Sequence, residues 1–338
     1  MINKKKILII GSDEHFSLEK MYYRSFLSLH HDVKLFHVYE MHKNLINRFF
    51  WKYFKFLYFI RYRKKILEYI KKRNNFDLVI IFKGIYLDPK TIKCLKKTCN
   101  KTKFINIYTD NPFDISPFKD ISSINVLKSL KYYDFFFIWS QKIRNELKKK
   151  FKLKNIYLLP FGYDQFIHKP RKKIHSFKYD VSFIGTADKN RVSIISELMD
   201  FNLLVAGQGW NETNIKGKNI KVINAVNSKK MTDIYNKSKI TLNLLRRQNY
   251  NSHNMKTFEI TSMGGLMLTK KTIDQSIYFP ENKACMMYRD SSDLKKKIIK
   301  ILSNYKKYIK IRSTGLRMSK KHSYKNRSKY ILKLIYTR

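Results

Sequence analysis

Short apolar runs alternate with stretches of helical periodicity along the first half of the chain. Because these runs are almost continuously apolar and are separated by helical segments, they indicate a parallel sheet covered by helices on both faces. We predict one doubly wound α/β domain over residues 1–165. Its strands are predicted at Lys6–Ile10, Val33–Val38, Phe76–Phe82, Phe104–Tyr108, Tyr133–Trp139 and Ile156–Leu159.

The same pattern starts again after a polar, basic stretch at Ile167–Lys178, which we assign to the linker. We predict a second Rossmann-like domain over residues 166–338, with a last helix at about 316–335 that crosses back to the first domain. Two such domains would face each other across a cleft. The second series of strands is predicted at Tyr179–Gly185, Asn202–Gly207, Ile220–Ile223, Ile240–Leu245 and Gly265–Thr269, with a helix at Met255–Met263.

One segment, residues 44–74, lies outside this alternation. It contains the run FFWKYFKFLYFIRYRKK, which predicts a helix with Arg48, Lys52 and Lys55 in one narrow stripe and aromatic or aliphatic residues elsewhere. Such a helix fits the interface of an anionic membrane. It equally fits a helix packed on the protein core, with the lysine stems lying along apolar surface. Both interpretations stay open at this point.

The formal net charge is +46. Such a charge is typical of proteins that bind nucleic acid or anionic membranes. However, 56 of the basic residues are Lys and 15 are Arg, and they are scattered along the chain rather than clustered. Because nucleic-acid recognition depends on arginine for bidentate and stacking contacts, we expect a solvated lysine surface and do not expect a nucleic-acid partner.

Cysteine use and hydropathy suggest a cytoplasmic protein, soluble or peripheral at the inner face of the membrane. The three cysteines, Cys94, Cys99 and Cys285, lack the spacing of a metal or redox motif and are expected to be reduced thiols. No stretch approaches the roughly 20 apolar residues of a membrane span.

The first strand of each predicted domain ends in glycine. After the first one, residues 11–16 read GSDEHF, which is not the dinucleotide fingerprint, so a nicotinamide enzyme is not expected. In the second domain, Gly185 and Thr186 are followed by Lys189 and Arg191. Small residues at a strand end permit close approach of a ligand, and the two cations could meet a diphosphate. A strand-end glycine is also common for purely structural reasons.

The segment from Asn254 to Thr269 carries the strongest candidate site. Lys256 and Glu259 stand three residues apart on a predicted helix and therefore share one face. Gly264 and Gly265 follow, ahead of a buried strand. A carboxylate that accepts from ribose hydroxyls, beside a cation for phosphate, would suit a nucleotide. An ordinary surface ion pair would show the same spacing.

The second half of the chain resembles the CgeB/YkvP-like glycosyltransferases, a branch of the GT-B group similar to glycosyltransferase family 4. Residues 256–265 (KTFEITSMGG) match the family pattern Arg-x-Phe-Glu-[Ile/Ala]-x-x-x-Gly-Gly, and residues 322–327 (HSYKNR) match its closing His-Thr-Tyr-x-x-Arg. Further matches are Tyr179–Gly185 with Arg191, and the run from Phe279 to Leu294. The resemblance covers residues 179–330, and Lys256 departs from it by replacing the family's arginine.

This resemblance implies a GT-B fold and transfer of a sugar from a nucleoside-diphosphate sugar to a hydroxyl of a glycan, lipid or protein, in cell-surface polysaccharide or glycan synthesis. It implies that Glu259 binds the donor ribose and that Gly264 and Gly265 lie near the diphosphate. It also implies retention of anomeric configuration. Neither a metal nor a cofactor is expected. A non-catalytic nucleotide- or glycan-binding protein with the same fold is the alternative.

On the acceptor side, candidate residues follow predicted strands of the first domain. Asp110 could serve as a catalytic base or bind an acceptor hydroxyl, or it could cap the turn before Pro112. His15, just after the first strand, is the second candidate, with a plain surface histidine as the other interpretation. Lys256 completes the predicted catalytic set by stabilising the departing diphosphate.

Overall fold

The structure is a computed structural model that describes residues 2–38, 45–73, 76–113, 121–171, 176–246, 249 and 251–337. Asn44, Asn74 and residues 172–175 of the predicted linker lie outside the described residues. The internal contacts divide the chain into two compact units. The first unit contains residues 1–160 and 327–338, and the second contains residues 161–326.

The first unit contains a six-stranded parallel sheet with the strand order β2-β1-β3-β4-β5-β6. Four central strand residues of β1 and the whole of β3 are buried, because helices cover both faces. The elements are β1 (Lys6–Gly11), α1 (Leu18–Leu27), β2 (Asp32–His37), α2 (Leu45–Tyr53), α3 (Lys55–Arg73), β3 (Leu78–Phe82), α4 (Pro89–Thr98), β4 (Lys103–Tyr108), α5 (Ile121–Ser129), β5 (Phe135–Ile138), α6 (Gln141–Phe151) and β6 (Ile156–Leu158).

The second unit contains another six-stranded parallel sheet, with the order β9-β8-β7-β10-β11-β12. Its apolar core is built on β7, β8, β10 and the helices beside them. The elements are β7 (Tyr179–Ile184), α7 (Lys189–Ser196), β8 (Leu203–Ala206), β9 (Ile220–Ile223), α8 (Ser228–Asn236), β10 (Ser238–Asn243), α9 (Met255–Ser262), β11 (Met267–Lys270), α10 (Ile273–Tyr278), β12 (Met286–Tyr288), α11 (Ser291–Ser303) and α12 (Ile309–Ser319). A last helix, α13 (Tyr324–Tyr336), begins in the second unit and lies mostly in the first.

The strand order of each sheet determines where its ligand crevice lies. In a doubly wound sheet the crevice lies beyond the carboxyl ends of the two strands between which the chain reverses direction across the sheet. These strands are β1 and β3 in the first unit, and β7 and β10 in the second. The residues that follow Gly11, Phe82, Ile184 and Asn243 are therefore the ones positioned to meet ligands.

Most helices begin at a side chain that caps their free backbone N–H groups. Asn254, for example, accepts from the N–H of Thr257, and the Thr257 hydroxyl takes part in a reciprocal capping box with the Asn254 backbone. The other side-chain N-caps seen are Ser17, Asp88, Ser140, Asp188, Asn227, Thr272 and Asp290. For these helices, the local sequence thus fixes the residue at which the helix starts, at the carboxyl edge of the sheet.

The aromatic segment forms two helices instead of the single predicted helix. The chain leaves helical geometry at Phe54, between α2 and α3. The Tyr58 hydroxyl donates to the backbone oxygen of Asn47 at 3.2 Å. In one straight helix these residues would be separated by roughly 16 Å along the axis, at about 1.5 Å per residue. Helix α2 therefore folds back toward α3, so that Trp51 can pack against Tyr58.

The predicted last helix over 316–335 is also divided in two. Helix α12 ends at Ser319, and α13 begins at Tyr324. Between them, the oxygen of His322 accepts from the N–H of Tyr163, and the N–H of Tyr324 donates to the oxygen of Tyr163. Extended backbone at Ser323 is needed for this pairing, so a continuous helix cannot form. Helix α13 then carries the chain from the second unit into the first.

Candidate functional site

The N-terminal end of α9 lies just beyond the carboxyl end of β10, where the topology places the crevice of the second unit. A buried polar network holds it there. The amide of Asn243, the last residue of β10, donates to the hydroxyl of Thr257 at 3.1 Å, and Asn254 donates to Asn243 at 3.0 Å. Gln275 accepts from Thr257 and Thr269 at 2.9 Å. This network fixes the first turn of α9 relative to β10 and β11.

Lys256 and Glu259, which the sequence places on one face of a helix, form an ion pair. Their side-chain atoms Nζ and Oε2 are 2.6 Å apart, and the Glu259 side chain is 6% exposed while that of Lys256 is 28% exposed. Burial opposes ionisation of both groups and is the largest single influence on each pKa, but their mutual attraction, the hydrogen bond between them and nearby charges together outweigh it. The pKa of Glu259 is therefore lowered and the pKa of Lys256 is raised. At neutral pH the site therefore presents a carboxylate that can only accept hydrogen bonds, beside a cation.

His168 is part of this environment, although the sequence indicates only a linker at Ile167–Lys178. It is buried, and its charged form would lower the pKa of Glu259 in the same direction as Lys256 does. Its Nδ1 accepts from the N–H of Asp164 at 3.1 Å. The hydrogen bond between Asp164 and His168 belongs to a local turn, and their spacing gives no sign of a contact with Glu259. Only the fold brings His168 close to Glu259, 91 positions further along the chain.

We expect the ion pair to make stability depend on pH in a defined direction. The lowered pKa of Glu259 means that its contribution is complete above the ordinary value of 4.5 and is lost as the pH falls through the lowered value. The raised pKa of Lys256 means that its contribution is complete below 10.5 and is lost as the pH rises further. The melting-temperature difference between wild type and Glu259→Gln should be greatest between about pH 5 and 10. A difference that stays constant from pH 7 to pH 3 would refute this assignment.

Arg191 lies beside Gly185 and Thr186 at the carboxyl end of β7, as predicted, but its guanidinium is turned inward. It is 7% exposed and donates to the oxygens of Leu244 and Thr186, at 2.7 and 2.9 Å for the shortest bonds. It therefore ties the loop after β7 to the loop after β10. It is still close enough to Lys256 to affect the pKa of that amine. The structure thus brings Arg191, Lys256 and Glu259 into one neighbourhood.

Arg191→Met should lower stability by about 2–3 kcal/mol, because the backbone oxygens of Leu244 and Thr186 lose a charged donor and the bonds to Leu244 are buried. The matched control is Lys189→Met, since Lys189 is the exposed first residue of the same helix and should change stability by less than about 0.5 kcal/mol. Thermal unfolding measures both. If Arg191→Met left the melting temperature unchanged but abolished nucleotide binding, the side chain would belong to the donor site and not to the loop clamp.

Gly264 and Gly265 are placed at the other end of α9 from its N-cap. Gly264 has a φ of +83° and ends the helix, where its N–H donates to Thr261. A Cβ on Gly265 would lie 2.9 Å from a methyl carbon of Ile260. The pair thus serves the turn from α9 into β11, beside the amino half of β10. This placement explains both glycines by packing alone.

Ser252, His253 and Asp274 form a buried group that the sequence did not indicate. Ser252 donates to Asp274 and is 3.1 Å from Nδ1 of His253. The Nε2 of His253 accepts from the N–H of Phe161, and the imidazole is fully buried among aromatic rings. Because both imidazole nitrogens are engaged and water has no access, this group positions the loop before α9 and is not a nucleophilic triad.

In the first unit, His15 and Asp110 both follow strands but differ in environment. His15 is exposed and packs edge-on against Phe16. Asp110 forms an ion pair with Lys83 at 3.0 Å, and both side chains are partly exposed. Lys83 has a φ of +56° directly after β3, a conformation that non-glycine residues adopt rarely. Lys83 thus brings Asp110 to the crevice of the first unit.

Glu19 is a further residue of this crevice, and the sequence pattern did not indicate it. Its side chain lies directly beneath Gly11, where a Cβ would collide with it. Burial is the main influence on this carboxyl and raises its pKa, although backbone hydrogen bonds and Lys83 oppose the shift. The strand-end glycine is therefore required for packing of Glu19, and no ligand needs to be invoked for it.

Comparison with known proteins agrees with this architecture. Residues 190–333 match a family described as glycosyl transferase-like. Among curated protein sequences, none matches the chain significantly. The fold is similar to that of sucrose-phosphate synthase from Thermosynechococcus elongatus, with a TM-score of 0.74, 9% identity and 99% of each chain covered.

Two further solved structures have the same fold. HepE from Anabaena, solved with UDP and glucose, has a TM-score of 0.65 at 11% identity, covering 99% of this chain and 100% of its own. An alpha-glucosyltransferase, solved with UDP-glucose and DNA containing an abasic site, has a TM-score of 0.68 at 12% identity, with the same coverage. The predicted fold class, two Rossmann-like doubly wound domains of the GT-B type, is confirmed. The fold of the whole chain is thus of the GT-B type, and the sequence match to a glycosyl transferase-like family covers residues 190–333.

Proposed function

We propose that this protein transfers a glycosyl group from a nucleoside-diphosphate sugar to a hydroxyl of a glycan, lipid or protein. The single observation that carries the donor site is the buried Lys256–Glu259 pair at the carboxyl edge of the second unit, within the family match. UDP-sugars are the first candidates, since HepE and the alpha-glucosyltransferase were solved with UDP or UDP-glucose.

In this proposal Glu259 accepts hydrogen bonds from the donor ribose hydroxyls. Lys256, together with the loop at Gly185 and Thr186, stabilises the charge that develops on the departing diphosphate. Lys189, exposed at the start of α7, adds positive charge at the same edge. Preorganised charge of this kind acts on the transition state without a metal ion or other cofactor, so we propose metal-independent transfer.

Asp110 and His15 are the proposed acceptor-side residues. One of them would orient the acceptor hydroxyl while the bond from the anomeric carbon to the diphosphate breaks. Retention of configuration follows from the resemblance to glycosyltransferase family 4. The proposal has three further parts. They are membership in the CgeB/YkvP-like group, a role in cell-surface polysaccharide or glycan synthesis, and a cytoplasmic location at the inner face of the membrane.

A thermal-shift screen of UDP-, GDP-, dTDP- and ADP-sugars tests the donor, combined with an assay for slow release of nucleoside diphosphate. We expect one nucleotide class to raise the melting temperature of wild type and to be hydrolysed slowly. Stabilisation without hydrolysis or transfer would favour the alternative, a non-catalytic nucleotide- or glycan-binding protein. No stabilisation by any nucleotide sugar would contradict the proposal.

A further inference from the structure

Helix α2 and the first turn of α3 expose an unusual amount of apolar surface. None of the residues of α2 is buried. Over residues 45–60, nine large apolar side chains are exposed by 40% or more. They are Leu45, Ile46, Phe49, Phe50, Tyr53, Phe54, Phe56, Leu57 and Ile60, and we call this surface the α2 patch. An isolated exposed hydrophobic residue is ordinary, but a contiguous group of this size indicates an interaction site.

The patch has a fixed orientation because the opposite side of α2 is anchored. Leu45, Phe49 and Tyr53 follow one row at intervals of four residues, and Ile46 and Phe50 start the adjacent row. Trp51 lies on the other side of the helix. Its indole packs against the rings of Tyr58 and Tyr86 at 5.6 and 5.0 Å between centroids. The apolar rows are therefore turned away from the body of the first unit.

The charge around the patch has a single sign. Residues 45–67 contain seven basic residues and no Asp or Glu, and the first acidic residue beyond is Glu68. Arg48 and Lys52 are exposed and stand four residues apart, in the row beside the apolar face. An apolar face bordered by basic side chains is the composition of helices that lie in the interface of an anionic bilayer.

We propose that the α2 patch docks on an anionic lipid surface, with its aromatic side chains in the headgroup region and Arg48 and Lys52 beside lipid phosphates. A second copy of the chain is a poorer occupant, since it would bring the same basic segment and a net charge of +46 against this one. Among the described helices, none is long and apolar enough to cross a membrane. This inference goes beyond the proposed transfer reaction and names the surface that would hold the protein at the membrane.

The test is binding to vesicles of phosphatidylcholine with or without phosphatidylglycerol. Wild type should bind the anionic vesicles at least tenfold more tightly than the neutral ones. Phe49→Ser combined with Phe50→Ser should weaken binding about tenfold or more, although the net charge is unchanged. The matched control is Ile273→Ser with Ile277→Ser, an exposed apolar pair elsewhere, at 79% and 66% exposure, which should bind like wild type.

A second pair of variants separates local from overall charge. Arg48→Gln with Lys52→Gln should weaken anionic binding more than Lys306→Gln with Lys307→Gln, which removes the same charge from exposed positions in the second unit. Equal effects of the two pairs, or vesicle binding that survives the phenylalanine changes, would overturn the proposal. So would a wild-type dimer, seen by sedimentation, that those changes dissociate without altering vesicle binding. Nucleotide-induced thermal shifts check folding and report separately on the donor site.

Discussion

Glu259→Gln is expected to weaken donor binding about 100-fold. The glutamine is nearly isosteric, so the helix and its packing remain, but the charge that receives the ribose hydroxyls is lost. Charged hydrogen bonds contribute about 1.5–3 kcal/mol each, and a net loss of about 2.7 kcal/mol corresponds to a factor of about 100. Calorimetric titration with the nucleotide sugar found in the thermal-shift screen measures this change.

Glu281→Gln is the matched control. Glu281 is also a partly buried carboxylate of the second unit, held by Lys271 and Lys297 at 2.9 and 2.8 Å. Its pKa is lowered, against the effect of burial, by the hydrogen bonds from these lysines. Because its carboxylate is held by Lys271 and Lys297 rather than by a residue of α9, its substitution should leave donor affinity unchanged. Equal losses for the two variants would mean that Glu259 acts through general stability.

Gly207→Ala is expected to destabilise the second unit by about 3 kcal/mol or more, which lowers the melting temperature by roughly 6–12 °C. Gly207 follows β8 and has a φ of +147°, where residues with a side chain are strained. A Cβ there would lie 2.6 Å from the carbonyl carbon of Gly185 and closer still to its oxygen. The backbone itself would have to move, at the loop that borders the donor site.

Gly217→Ala provides the comparison for this effect. Gly217 lies in an exposed loop of the same unit, and a Cβ there would meet only side-chain carbons at 3.6 Å or more. Its substitution should change stability by less than about 1 kcal/mol. Differential scanning calorimetry of both variants, with and without donor, is the measurement. Similar melting temperatures for the two variants would show that the stability of the second unit does not depend on the close approach of Gly207 to Gly185.

The alternation of apolar runs was sufficient to predict most strands, because every buried parallel strand must be apolar on both faces. The observed β1, β4 and β9 lie within a residue of their predicted bounds. Strand β12, Met286–Tyr288, was missed, since three apolar residues are too few to stand out. The break before Tyr324 was missed because a contact distant in the sequence, with Tyr163, causes it. The break at Phe54 was missed because it depends on α2 folding back, so that Tyr58 reaches Asn47.

The candidate site was predictable only in part. Helical spacing alone puts Lys256 and Glu259 on one face, and the fold adds that the carboxylate is buried. Spacing gave no information about His168, or about the inward turn of Arg191 toward Leu244. These depend on which loops meet at the carboxyl edge of the sheet. The structure adds that Gly264 and Gly265 follow the C-terminal end of α9, whereas Lys256 lies in its first turn.

Lys256 stands where the family pattern that this segment resembles has arginine, and its environment gives this residue a specific role. It neutralises Glu259 at 2.6 Å, and its side chain is more exposed than that of its partner. A lysine ammonium is a mobile point charge, whereas guanidinium holds a fixed bidentate geometry. In our proposal the amine turns from the carboxylate to the donor diphosphate on binding, which retains a favourable charge partner throughout.

The most direct measurement of the donor site is a crystal structure of the complex with UDP. Our account predicts that the ribose hydroxyls lie within hydrogen-bond distance of the Glu259 carboxylate and that the diphosphate lies between Lys256 and the loop at Gly185 and Thr186. A complex in which the ribose is bound elsewhere, and the intact Lys256–Glu259 ion pair does not contact the nucleotide, would contradict this prediction.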